Sequence, residues 1–74
     1  MPYIAIKAYP KEEAVVKDLI EKVNQALIDA VGCPPKVVSI SYEEIQPEDW
    51  EERVINGEMA KDAAHMKIRD GQRL

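Results

Sequence analysis

Hydrophobic and polar residues alternate at the start of the chain, MPYIAIKAYP. Over residues 3–9 the apolar side chains recur with a period of two, which is typical of a β-strand. Pro10 ends this segment, because proline has no backbone N–H to donate to a ladder. The alternation therefore predicts a first strand over residues 3–9, with Ile4 and Ile6 on one face.

The period changes over residues 12–31, EEAVVKDLIEKVNQALIDAV. Apolar residues fall three and four positions apart there, so the segment is predicted to be an amphipathic helix. Glu12 and Glu13 lie in its first turn, where carboxylates suit the helix dipole. Gly32, followed by CPP, ends the helix. Alternation returns over residues 37–45, VVSISYEEI, which predicts a second strand with Val38, Ile40 and Tyr42 on its core face.

Strand, helix and strand in this order predict a β-α-β unit, with parallel strands joined by a right-handed crossover. The helix covers one face of the sheet, and the other face and both edges stay bare. A two-stranded sheet is not stable alone, and bare edges invite pairing. We therefore expect an α/β fold whose copies pack sheet against sheet in an obligate homo-oligomer, either a dimer or a hexamer built as a trimer of dimers.

The rest of the chain carries turn signals. The acidic turn QPEDW leads to Trp50, and Asn56-Gly57 is the strongest short hairpin signal. We predict a hairpin at that pair, followed by a short helix through MAKDAAHMKI, and a loose tail over about residues 69–74. With 74 residues the chain has room for one domain at most, residues 1–74.

Composition narrows the classes of function. The 14 acidic and 10 basic residues give a net charge of −4; nucleic-acid binding needs a basic face, so we expect no nucleic-acid partner. The chain has no apolar run of membrane-spanning length and no signal-peptide pattern, so we expect a cytoplasmic protein with no membrane partner. Cys33 and His65 are single residues of their types, which excludes an internal disulfide and argues against a Cys/His zinc site.

The order of these segments resembles the tautomerase superfamily, in the group of 4-oxalocrotonate tautomerase. MPYIAIK is similar to the start of that family, where a terminal proline leads directly into the first strand. The strand-helix-strand unit has the family's length, and NGEMA resembles a region near the family's C-terminus. SISYEEIQPEDW is most similar to the small bacterial members related to phenylpyruvate tautomerase. The resemblance covers about residues 2–61.

The resemblance implies an isomerase that needs no metal and no organic cofactor. It implies that Pro2, made N-terminal by removal of Met1, is the catalytic base in keto–enol isomerisation of a 2-keto acid such as phenylenolpyruvate or 2-hydroxymuconate. Physical chemistry permits this role, because desolvation and a nearby cation both lower the pKa of an amine toward neutrality, where a base works best. The alternative is an incidental proline near a chain end.

The family pattern also implies three residues that bind a small carboxylate substrate. Lys11 lies where the family tends to have an arginine, and would hold the carboxylate in its own site or a neighbour's, without the bidentate fork of arginine. Ser39 stands where some members carry a second arginine, so a monocarboxylate is favoured over 2-hydroxymuconate. Trp50 matches the aromatic residue that walls the pocket. The ordinary alternatives are a solvated lysine, a serine on a sheet face, and a tryptophan in a core or interface.

Two other classes of function stay open. Hydratases and hydrolytic dehalogenases resemble this chain in fold, and Glu51 or Glu52 beside Trp50 could activate a water. The chain is poor in the additional cations that those enzymes typically carry, so we rank a water-adding enzyme behind a tautomerase. In a non-catalytic oligomeric binding protein, Met1 would be retained or the amine of Pro2 would titrate like a free one.

Overall fold

The computed structural model describes all residues of the chain, 1–74, which divide into two compact units, 1–44 and 45–74. The elements of the first unit are strand β1 (Tyr3–Ala8), helix α1 (Glu13–Val31), a 3₁₀ turn (Pro35–Val37) and strand β2 (Ser39–Glu44). None of the helices in the chain has the length and hydrophobicity needed to cross a bilayer.

The two strands of the first unit are parallel, which confirms the predicted β-α-β arrangement. Their register runs from Tyr3 opposite Ser39 to Ala8 opposite Glu44. Strand β2 begins two residues later than the alternation predicted, because a 3₁₀ turn occupies residues 35–37. The sheet has only these two strands, so both of its edges are open within the chain.

Helix α1 begins and ends within one residue of its predicted bounds. Glu12 is its extended N-terminal cap residue, and the Glu12 carbonyl accepts hydrogen bonds from the N–H groups of Val15 and Val16. Gly32 follows the last turn in the left-handed conformation, with φ 74°, and donates its N–H to the Ile28 carbonyl at 2.8 Å. Glycine takes this conformation at no steric cost, so the sequence signal and the geometry agree.

The second unit is mostly helical. Its elements are a 3₁₀ turn (Pro47–Asp49), a π-helix (Glu51–Glu58), helix α2 (Met59–Asp62), a 3₁₀ turn (Ala63–His65), and strands β3 (Ile68–Arg69) and β4 (Gln72–Arg73). The short helix predicted after the Asn-Gly pair is therefore present in part, as α2 and the turn that follows it.

The predicted hairpin at Asn56-Gly57 is wrong, because both residues lie inside the π-helix. Val54 is buried from within this helix, and that burial outweighs the local turn preference of the Asn-Gly pair. Gly57 suits the wide turn: a Cβ at this position would lie 3.3 Å from the Glu52 carbonyl oxygen. A π-turn brings residues five apart into register, which places these two backbones close together.

The hairpin of this chain lies instead in the segment expected to be a loose tail. Ile68 pairs with Arg73 and Arg69 with Gln72, in antiparallel orientation. The turn between them is Asp70-Gly71, and both residues have positive φ, 49° and 80°. An Asp-Gly pair with this geometry is the two-residue turn that the right-handed twist of hairpin strands favours.

The buried core of the chain is small. Only two residues are buried, Ile45 at 1 % exposure and Val54 at 5 %, and helix α1 contains none. Large apolar side chains are exposed in the first unit, among them Tyr3 at 70 % and Val31 at 59 %. A domain of this size is marginally stable even when its core is complete, and exposed apolar surface of this kind is typical of an interaction face.

Candidate active site

Pro2 lies at the head of strand β1, where the sheet holds its backbone. The Ser39 N–H donates a hydrogen bond to the Pro2 carbonyl at 3.1 Å, one step beyond the Tyr3–Ser39 pair that opens the ladder. Pro2 itself is half-buried. The proline is therefore tied to the sheet, which an incidental proline in a frayed terminus would not be.

Met1 precedes the strand and is 97 % exposed. It contributes no packed side chain to the unit, so its removal would leave the head of β1 in place. The nitrogen of Pro2 would then be a secondary amine at the end of the sheet.

Ser39 is the predicted substrate-binding residue of the first unit that the structure brings next to Pro2. It opens strand β2, and it is exposed while the next residue, Ile40, is half-buried. Since side chains alternate along a strand, the Ser39 hydroxyl lies on the open face of the sheet. The sequence pointed to this hydroxyl, and the structure adds the Ser39 backbone N–H as the group that positions Pro2.

Lys11 lies at the other end of β1 from Pro2. It is exposed in the loop that joins β1 to α1, whereas Pro2 precedes β1. Six strand residues at about 3.3 Å each separate the two by about 20 Å. This exceeds the reach of a lysine side chain, so within one chain Lys11 and Pro2 do not meet.

Tyr42 holds the loop that carries Lys11, a contact that no sequence pattern indicated. The Tyr42 hydroxyl donates a hydrogen bond to the Tyr9 carbonyl at 3.3 Å. Alternation along β2 correctly indicated that Tyr42 shares the half-buried face of Ile40. No local pattern could identify a hydroxyl partner 33 positions away.

Trp50 belongs to the second unit and is described within it. It stands between the 3₁₀ turn and the π-helix, is half-buried, and donates its backbone N–H to the Pro47 carbonyl. Glu51 and Glu52 follow it in the first turn of the π-helix, and both are exposed. No group of three or more His, Cys, Asp or Glu side chains is arranged to hold a metal ion.

Two known proteins are similar to this chain. Tautomerase PptA of Cronobacter sakazakii is 29 % identical over 62 residues, which span 81 % of this chain and 82 % of the relative. The 2-hydroxymuconate tautomerase of Pseudomonas putida is 42 % identical over 40 residues, 54 % of this chain and 64 % of the relative. The second match thus covers less than two thirds of that protein. No protein-family model matches the chain.

The chain is thus similar in sequence to two proteins named as tautomerases. The resemblance drawn from the order of its segments is thereby confirmed, and the β-α-β unit is consistent with the tautomerase fold. Similarity to two proteins named as tautomerases supports an isomerase as its enzyme class.

Proposed function

We propose that this protein belongs to the tautomerase superfamily and isomerises a 2-keto acid by a 1,3-proton shift in the cytoplasm, with an amino-terminal Pro2 as the general base. The observation that carries the proposal is the hydrogen bond from the Ser39 N–H to the Pro2 carbonyl at 3.1 Å. It positions the proline at the head of β1, directly after a Met1 that packs against nothing in its unit. The two tautomerase relatives support the same class of reaction.

The proposed chemistry is a proton transfer without any change of oxidation state. The neutral amine of Pro2 accepts the proton of the enol hydroxyl, the C–O bond becomes C=O, and the adjacent C=C becomes a single bond. The protonated amine then returns the proton to carbon, which restores the free base. Atoms and electrons balance without a co-reactant, and a positioned base of this kind contributes about 10²–10⁴-fold to the rate.

We further propose that Lys11 binds the substrate carboxylate in the site of a second copy of the chain. The separation of about 20 Å along β1 keeps it from the Pro2 of its own chain. Association of copies, as a dimer or a hexamer, is supported by the two open sheet edges and by exposed apolar residues such as Tyr3. The site would then be complete only in the assembly.

The Ser39 hydroxyl is the candidate substrate ligand beside Pro2 in the first unit, and Trp50 is the candidate in the second unit. A half-buried indole is a large apolar surface that can exclude water from a pocket. Exclusion of water lowers the pKa of an amine, because desolvation disfavours the charged form. The Ser39 hydroxyl, on the open face beside Pro2, can donate one hydrogen bond to the substrate.

The test is ketonisation of phenylenolpyruvate by purified protein whose intact mass shows that Met1 is absent. Because the neutral amine is the active form, kcat/KM should rise with pH as Pro2 loses its proton, with the midpoint near neutrality. The matched control is the Pro2→Ala variant, also freed of Met1, whose kcat should fall by about 10² or more. Absence of rate enhancement in the processed protein, or full activity in Pro2→Ala, would contradict the proposal.

A further inference from the structure

The first unit has five lysines and no other cationic side chain. Three of the five are ion-paired, with nitrogen–oxygen distances of 2.7–3.9 Å: Lys7 with Glu43, Lys17 with Glu13, and Lys22 with Asp18. Paired lysines have a carboxylate of the protein as their partner already. The two lysines of this unit outside these ion pairs are Lys11 and Lys36.

Lys36 lies at the Pro2 end of the sheet, opposite to Lys11. It is exposed in the 3₁₀ turn Pro35–Val37, three residues before Ser39. Ser39 in turn binds the Pro2 carbonyl through its N–H at 3.1 Å. Three residues at about 2–3.3 Å each place the Lys36 backbone within about 10 Å of the head of β1. The flexible four-carbon stem of a lysine can cover most of that distance.

The turn that carries Lys36 is held in place by its own backbone. Pro34 and Pro35 each fix one φ angle, since the proline ring locks that angle. The Pro34 carbonyl accepts a hydrogen bond from the Val37 N–H at 3.2 Å, and the Pro35 carbonyl accepts one from the Val38 N–H at 3.3 Å. A lysine on so constrained a turn keeps its backbone position relative to β2, so its ammonium group samples a restricted volume at this end of the sheet.

We infer that Lys36 binds a carboxylate of the substrate beside the Pro2 of its own subunit. The inference rests on the proposed function. Together with Lys11 of a second copy, it gives each site two cations. The uncharged Ser39 by itself favours a substrate with one carboxylate. With a second cation in the site, a 2-keto acid that has two carboxylates, such as 2-hydroxymuconate, is also expected to bind well.

The experiment compares KM for a dicarboxylate, 2-hydroxymuconate, and a monocarboxylate, phenylenolpyruvate, in the wild-type protein and in Lys36→Ala. A charge-assisted hydrogen bond is lost only with the dicarboxylate, so its KM should rise about tenfold or more and that of the monocarboxylate less than about threefold. Lys36→Arg should keep most of the preference. Lys17→Ala is the matched control, because it removes the same charge from the solvent side of α1.

Two results would overturn the inference while leaving the proposed function intact: no turnover of 2-hydroxymuconate by the wild-type protein, or equal KM changes for both substrates in Lys36→Ala. In either case phenylenolpyruvate would still be ketonised, and Pro2→Ala would still lower that activity by about 10² or more. If instead Pro2→Ala keeps its full activity on phenylenolpyruvate, the base mechanism itself fails. The two failures are therefore distinguishable in one set of assays.

Discussion

Mixed assemblies of two impaired variants should recover activity if Lys11 serves the site of a neighbouring chain. One variant is Pro2→Ala and the other is Lys11→Ala. In one chain the two residues lie at opposite ends of β1, about 20 Å apart, so a site that uses both must draw them from different copies. A mixed assembly then contains sites in which an intact Pro2 faces an intact Lys11.

The expected recovery follows from the geometry. When the two variants are mixed equally and assemble at random, half of the sites carry an intact Pro2, and half of those receive an intact Lys11. About one quarter of wild-type kcat/KM should return in any closed symmetric assembly. If Lys11 does not act in the site of another chain, each variant keeps its own activity, about one tenth for Lys11→Ala and about one hundredth for Pro2→Ala. An equal mixture should then show the average, about one twentieth of the wild-type activity. The two outcomes differ about fivefold.

The assay is ketonisation of phenylenolpyruvate at low substrate concentration, after the two variants have been unfolded in urea and refolded together. Intact mass confirms that Met1 is absent from both chains. The control is the same two proteins refolded separately and mixed immediately before the measurement. The co-refolded sample must first be shown to contain mixed assemblies. If its activity then stays at about one twentieth of the wild-type value, Lys11 does not act across a subunit boundary. The proposal that Lys11 binds the substrate carboxylate in the Pro2 site would then be refuted.

Two substitutions test the supporting structure. Tyr42→Phe removes the hydroxyl that donates a hydrogen bond to the Tyr9 carbonyl at 3.3 Å. Because a hydrogen bond this long is weak, KM should rise only about two- to threefold, with kcat unchanged. The increase in KM should vanish in a double variant that also carries Lys11→Ala. Ser41→Ala, which removes a hydroxyl from the other face of β2, is its control, and an additive effect in the double variant would contradict the role. Gly32→Ala places a side chain at φ 74° and should lower the free energy of unfolding by about 1 kcal/mol in urea at fixed protein concentration. Gly32→Asn should cost less, and an unchanged midpoint for Gly32→Ala would refute the strain argument.

Periodicity in the sequence determined the first unit. The period of two in residues 3–9 and 37–45, and the three-to-four spacing between them, each extend over several residues, so local chemistry is sufficient to specify strand, helix and strand. Gly32 ended the helix for a reason that is equally local, the left-handed φ of 74°. The parallel pairing followed from the order of these elements and the length of the crossover.

The second unit shows where local signals are insufficient. Asn56-Gly57 and Asp70-Gly71 carry the same hairpin chemistry, yet only the second pair forms a hairpin. The first pair lies within a helix that buries Val54, and burial of an apolar side chain outweighs a turn preference. A dipeptide cannot report which side chains its neighbours bury, so the choice between the two turns required the tertiary structure.

The candidate site divides in the same way. The sequence alone predicted which residue types would carry the chemistry, an N-terminal proline and a cation, because a resemblance in segment order is enough to locate such candidates. Only the tertiary structure decided that Ser39 holds Pro2 through its backbone and that Lys36 stands at the Pro2 end of the sheet. The physical reason is that these relations depend on strand register and on distances across the sheet, which residue spacing along the chain does not encode.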